Sequence, residues 1–392
     1  MAKRRLGAQD AAKGILIIGV VFFHAFMMTF ASPEESVSSF NILVALFPYL
    51  LSVFFFYSGY NYTSKDRTYK QNILRRAKQL LIPMAISFVA STVLISAMEL
   101  AFDHSDVPGT FLNIGNTMVY ALLSDPLALM IRFPQQGGLV FMLYVALCML
   151  WFLLALFVCS LFFYALANHT NRSFPVFASV IVALLLISFC LAQFVSPYLP
   201  YSLQAYPVIL ALMLTGAYLR KHRFLERPME SKKEITFHIV NALIAEGLVV
   251  GVSLFCYFQY GATLVGALAG GQFDPVIRGF DAFASFGYGV LGTFFLHTLC
   301  RFLVRIPYAG KAMQWVGLHS AIIYLFHPVL LDFVSIVFFQ KRVLWGQAQA
   351  FVYVAIVMAL FVGICLLIDF ITKKRKQKRG VEEPAPAPNE DA

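Results

Sequence analysis

Apolar residues run through this chain in long stretches, and the polar positions gather between them. Ten stretches stand out, at residues 14–31, 42–60, 80–101, 139–167, 174–195, 206–220, 234–258, 282–303, 315–339 and 349–371. Each is near the roughly 20 residues that a helix needs to cross a bilayer. The sixth is short, and the fourth is long enough to tilt or to begin outside the hydrocarbon. The first follows a basic start, Met1–Arg5, as a signal peptide would. Its apolar run exceeds a usual signal core and contains His24, so it is read as a retained helix. The pattern predicts an all-α polytopic membrane protein, a bundle of about ten transmembrane helices.

Composition removes the alternatives. Only 13% of the 392 residues are charged and 60% are hydrophobic, against about 25% charged in a typical soluble domain. A soluble globular enzyme, a disordered chain and a collagen-like fibre are excluded. The net charge of +10 would suggest nucleic acid in a soluble protein. Here it has a topological cause. With the N-terminus in the cytoplasm, 26 of the 30 Lys and Arg residues fall on the inner side, and only Arg132, Arg278, Lys341 and Arg342 fall outside. Basic residues hold loops in the cytoplasm, so both termini are placed inside and no nucleic-acid partner is expected. The six cysteines lie in apolar runs without CxxC spacing. They signal neither a disulfide framework nor a zinc site, and no metal is expected.

The membrane domain is assigned to residues 1–372. Residues 373–392 are a basic stretch followed by a Pro/Ala/acidic segment, expected to be a disordered cytoplasmic tail. Two outer loops are long. Residues 102–138 carry an apolar piece, Thr117–Ile131, broken at Asp125-Pro126 and too short to span, and residues 259–281 are Gly-rich.

Ionisable groups inside a bilayer are expensive and mark function by default. His24 lies about 15 Å into the first span at 1.5 Å per residue. Lys13 is offset from it by about 20° around the helix, and Asp10 by about 40°. Asp10, Lys13 and His24 therefore share one face. His327 lies at a similar depth on the ninth span, and Ser320 and Tyr324 share its face. Pro328 follows it and cannot donate to the carbonyl of Tyr324. Each histidine could instead be a packing residue bonded to a neighbour, and His327 could simply mark a kink. Thr293, His297 and Arg301 repeat every four residues on the eighth span, as an anion path or as a snorkelling arginine. Glu246 is read as the only acid near mid-span, suited to a proton path, an acceptor contact or a buried ion pair. The inner segment Lys65–Lys78 holds six basic residues. It is either a topology signal or an anion clamp. No GxGxxG, Walker loop, HExxH or GxSxG context suggests other chemistry.

Several segments together resemble the acyltransferase family 3 membrane proteins, the bacterial O-acetyltransferases of surface and exported glycans. They are Asp10-Ala-Ala-Lys-Gly-Ile with His24, Phe54-Phe-Phe-Tyr-Ser-Gly-Tyr60, Arg75-Arg-Ala-Lys-Gln-Leu-Leu-Ile-Pro83, Trp151-Phe-Leu153 and Ile322-Ile-Tyr-Leu-Phe-His-Pro328. They occur in family order over residues 10–328. Lys13 stands where the family usually has Arg, which keeps the charge and loses the planar fork. The family's Arg-x-x-Arg is altered to Arg76-Ala-Lys-Gln79 or Arg75-Arg-Ala-Lys78.

The resemblance implies an acyl-coenzyme A donor, acetyl-CoA in the simplest case, held from the basic cytoplasmic side by Arg75, Arg76 and Lys78. It implies an acceptor hydroxyl on a lipid-linked or exported glycan, and a place in the bacterial cytoplasmic membrane. Glycan-synthesis proteins are candidate partners. A hydroxyl needs a base to take its proton, and His24 is assigned that role, or that of a transient acyl carrier. Asp10 and Lys13 complete the catalytic set, and His327, Tyr324, Trp151 and Glu246 are assigned to the acceptor. The competing class is a transporter of a glycan or lipid intermediate, although no inverted repeat is visible.

Overall fold

A computed structural model describes residues 7–27, 29, 47–62, 68–102, 151–194, 200–226, 229–260, 275–339 and 344–378. Their elements are helices, and none of the described residues forms a strand. In chain order they are α1 (Gly7–Met27), α2 (Ser52–Tyr60), α3 (Tyr69–Phe102), α4 (Trp151–Thr170), α5 (Phe174–Phe194), α6 (Tyr206–Lys221), α7 (Lys232–Tyr260), α8 (Pro275–Leu303), α9 (Ala309–Leu318), α10 (Ser320–Phe339) and α11 (Gln349–Lys378). Eight of these, α1, α4–α8, α10 and α11, are long and apolar enough to cross a membrane. The α2 and α3 helices fall in the second and third predicted spans. The chain is an all-α polytopic membrane protein. The Thr117–Ile131 piece and residues 379–392 lie outside the described residues.

Local sequence sets several helix starts. Thr68 and Gln71 bond each other's backbone N–H at the head of α3, at 3.4 and 3.0 Å. Ser231 and Glu234 do the same for α7, at 3.2 and 3.0 Å. Both are capping boxes that satisfy donors a helix start leaves open. These two starts carry basic residues nearby, where the chain enters the bilayer from the predicted inner side.

Helix α6 is the central post, with almost every residue from Tyr206 to Ala217 buried. It takes that position because Gly59 on α2 and Gly216 on α6 let the two backbones touch. A Cβ on Gly59 would strike the Met213 carbonyl, and one on Gly216 the Phe56 carbonyl. One apolar cluster joins α2, α4, α5 and α6. A second joins α1, α2 and α8, and a third joins α1, α10 and α11. Helix α1 thus belongs to two clusters, with His24 on the side shared with α10.

The ninth predicted span, 315–339, is not one helix. It bends at His319, whose Nδ1 lies 2.9 Å from the Trp315 carbonyl and whose Nε2 lies 3.2 Å from Asp369 on α11. The preceding piece, α9, packs on the inner part of α1. Apolar content alone hid the bend, because apolar residues continue on both sides of it, Trp315 to Leu318 before and Ala321 to Ile323 after. At the other end, α11 continues through the basic residues to Lys378.

Candidate active site

Helices α1 and α10 bring the two predicted histidines into contact. His24 Nδ1 and His327 Nε2 are 3.1 Å apart, with ring centroids 5.0 Å apart. His327 is fully buried, and its Nδ1 lies 2.8 Å from the Tyr324 carbonyl and 3.2 Å from that of Ile323. The Tyr324 carbonyl is the one that Pro328 leaves without its helical donor. His24 is half-buried, and its Nδ1 also lies 2.8 Å from the Val20 carbonyl. Beside the pair, Tyr324 packs against His327 and against Phe152 of α4, with centroids 5.9 and 5.2 Å apart. Ser87 of α3 donates to the Leu325 carbonyl at 2.8 Å, so α3 also reaches α10 at this level.

Inward of His24 on the same helix, Lys13 donates to Asp10 at 3.2 Å, with Asp10 buried and Lys13 partly exposed. The predicted polar face of α1 is therefore formed. Gln9, one residue before, is buried with its amide nitrogen unbonded among the described residues.

The three basic residues of α3 assigned to the donor are not equivalent. Arg75 and Lys78 are exposed, whereas Arg76 turns into the bundle. Its Nε donates to Ser160 of α4 at 3.4 Å, and its Nη2 donates to Ser58 of α2. No carboxylate pairs with it among the described residues. A buried cation without a counter-charge is costly, and the cost falls if an anion joins it. Lys13 is eleven residues inward of His24, and Arg76 is eleven inward of Ser87. Both intervals come to about 16 Å at 1.5 Å per residue.

Other predicted residues stand apart from the pair. Glu246 of α7 accepts from Tyr49 at 3.0 Å, just before α2. Its second carboxylate oxygen is buried without a partner among the described residues. The side chain of Trp151 lies outside the described residues. The stripe on α8 is locked rather than open. His297 lies 3.1 Å from the Leu225 carbonyl and 3.3 Å from the Tyr57 hydroxyl, and Thr293 bonds the Gly289 carbonyl at 2.6 Å.

Glu246 is not the only acid within the spans. Asp332 is buried on α10, five residues beyond His327. Counted from residue 315 it lies near the outer end of its predicted span, whereas α10 itself begins at Ser320 and carries Asp332 about 18 Å along it at 1.5 Å per residue. An acid in so apolar a run was the available signal. Among the described residues no group of three His, Cys, Asp or Glu side chains could hold a metal ion.

Apolar helices around an internal histidine pair, with basic groups on one side, define a multi-pass membrane protein with a polar site inside it. An acyltransferase domain family matches residues 7–370, and the chain belongs to this family, acyltransferase family 3. It is a membrane acyltransferase. No curated protein and no solved structure matches the chain.

Proposed function

We propose that this protein is an O-acyltransferase of the bacterial cytoplasmic membrane. It takes an acyl group, acetyl in the simplest case, from acyl-CoA on the cytoplasmic side. It transfers that group to a hydroxyl of a lipid-linked or exported cell-surface glycan. The observation that carries this reading is the contact between His24 and His327 inside the bundle. A sugar hydroxyl is a poor nucleophile, and a histidine takes its proton at near-neutral pH. His24 fills that role, or carries the acyl group between donor and acceptor. Tyr324 shapes the acceptor side, and His327 holds His24 from α10.

Arg76 supports the donor half of the reading. Its guanidinium is held by two hydroxyls and has donors left for a phosphate. Arg75 and Lys78 add positive charge on the same helix, and Lys13 with Asp10 closes the inner end from α1. The interval of about 16 Å from these cations to the histidine level suits a donor with an anionic head and a long neutral arm. The pantetheine arm of coenzyme A is such an arm. Both termini in the cytoplasm put this basic side where acyl-CoA is made.

Two measurements test the proposal. Purified protein should release coenzyme A from acetyl-CoA when a glycan acceptor is added. Mass spectrometry of surface glycans should lose an acyl mass when the gene is deleted. An unchanged glycan profile, together with no coenzyme A release, would leave the acyltransferase without these substrates.

A further inference from the structure

The contacts around His327 determine where its proton sits. A carbonyl oxygen only accepts, so the Nδ1 that faces Tyr324 and Ile323 carries a hydrogen. In a neutral imidazole the other nitrogen is then an acceptor. His327 Nε2 therefore presents a lone pair to His24 Nδ1 at 3.1 Å. His24 Nδ1 also faces a carbonyl, that of Val20, at 2.8 Å. Both neighbours of His24 Nδ1 are acceptors, so His24 holds its hydrogen there. Its Nε2 is left with the lone pair, and that nitrogen has no hydrogen-bond partner among the described residues.

We propose that His327 is a positioning residue that fixes the tautomer of His24 and makes His24 Nε2 the reacting nitrogen. The proposal rests on the assignment of His24 as the base in acyl transfer. The orientation begins at Pro328, which frees the Tyr324 carbonyl. That carbonyl holds His327 Nδ1–H, His327 Nε2 holds His24 Nδ1–H, and His24 Nε2 faces the acceptor. Each link is neutral at rest, which suits a site inside a bilayer, where a fixed carboxylate in the orienting position would be costly.

The proton balance closes. As the acceptor oxygen attacks the thioester carbon, its proton passes to His24 Nε2 and a C–O bond forms. The imidazolium then donates through Nδ1–H to Val20 and His327, which stabilises the charge without taking the proton. When the C–S bond breaks, His24 Nε2 returns the proton to the leaving sulfur, and coenzyme A departs as the thiol. The lone pair is restored.

The experiment uses the full chain in detergent or nanodiscs. Nitrogen-15 NMR of histidine-labelled protein should report an Nδ1–H, Nε2-bare form for both His24 and His327, assigned by loss of each signal in His24→Gln and His327→Gln. A Gln side chain can put an accepting oxygen where His327 Nε2 sits, whereas Leu cannot. His327→Gln should therefore retain kcat within about 10-fold. Folded His327→Leu should lose about 100-fold in kcat, the scale of a general-base contribution, with the KM for acyl-CoA unchanged. In His327→Leu the His24 signal should shift toward a mixture of tautomers. If the Leu variant fails to fold, the wild-type spectrum decides alone, because an Nε2–H form of His24 overturns the proposal. Equal kcat in folded Leu and Gln variants overturns it as well. The spectrum does not depend on turnover. A correct tautomer in a protein whose His24→Ala variant still transfers would reject His24 as the base while leaving the orientation intact.

Discussion

Gly14 on α1 and Gly317 on α9 meet backbone to backbone. A Cβ on Gly317 would strike the Asp10 carbonyl, and one on Gly14 the Met313 carbonyl. The contact seats α9 on the helix that carries Asp10, Lys13 and His24. Water does not drive helices together inside a bilayer, so close approach of small residues contributes much of the association. Gly317→Ala should destabilise the protein by about 1–3 kcal/mol through overpacking, seen as a lower Tm in detergent, and should reduce transfer. Gly363→Ala on α11, where nothing lies within 4 Å, should leave Tm nearly unchanged. Equal Tm values for the two variants would contradict the close contact.

The spans were legible because apolar length is a direct requirement of the bilayer. The register of His24, Lys13 and Asp10 was legible because helical geometry converts spacing into a shared face. The similar depths of His24 and His327 could be counted, but their contact could not, since sequence spacing does not say which helices are neighbours. Arg75, Arg76 and Lys78 looked alike for the same reason. Only the placement of α2 and α4, with Ser58 and Ser160, separates the inward Arg76 from the other two. The bend at His319 depends on a side chain capping a carbonyl and reaching Asp369, fifty residues away.

Arg76 should dominate donor binding among Arg75, Arg76 and Lys78 of α3. Arg76→Gln should weaken acyl-CoA affinity by roughly 1.5–3 kcal/mol, the range for one lost charge-assisted bond. Arg75→Gln and Lys78→Gln, at exposed positions, should each cost less than about 1 kcal/mol. Calorimetric titration with acyl-CoA checks the order. Equal losses at all three positions would point to a diffuse basic surface instead of an internal phosphate contact.

His24→Ala should fold and bind acyl-CoA yet lose transfer by about 100-fold or more, because the proton acceptor is gone. The separation matters: binding and thermal stability must be measured on the same preparation as turnover. Near-normal transfer by the folded variant would remove His24 from the chemistry and leave the fold untouched.

Topology can be checked at two exposed positions between helices. His222 follows α6 on the predicted inner side, and Leu344 precedes α11 on the outer side. In a cysteine-free background, His222→Cys and Leu344→Cys should label with an impermeant maleimide from opposite faces of intact cells. Labelling of both from one face would break the inside-out alternation on which the proposed cytoplasmic donor site rests.

Tyr49 and Glu246 form a polar pair away from the histidines, which separates a structural acid from a substrate-binding one. The Tyr49 hydroxyl is the bonded partner of one Glu246 oxygen, and the other oxygen is already buried without one among the described residues. Tyr49→Phe removes the remaining bond and leaves a polar group without a partner, at a cost of about 1–3 kcal/mol. Glu246→Gln keeps an accepting oxygen for Tyr49 and removes the carboxylate. If the pair acts on the fold alone, Tyr49→Phe should lower Tm while transfer per folded molecule holds, and Glu246→Gln should preserve both. If Glu246 contacts the acceptor, Glu246→Gln should instead raise the acceptor KM with Tm unchanged. The packing favours the first pattern, because α7 lies against α8 whereas the histidine pair sits between α1 and α10.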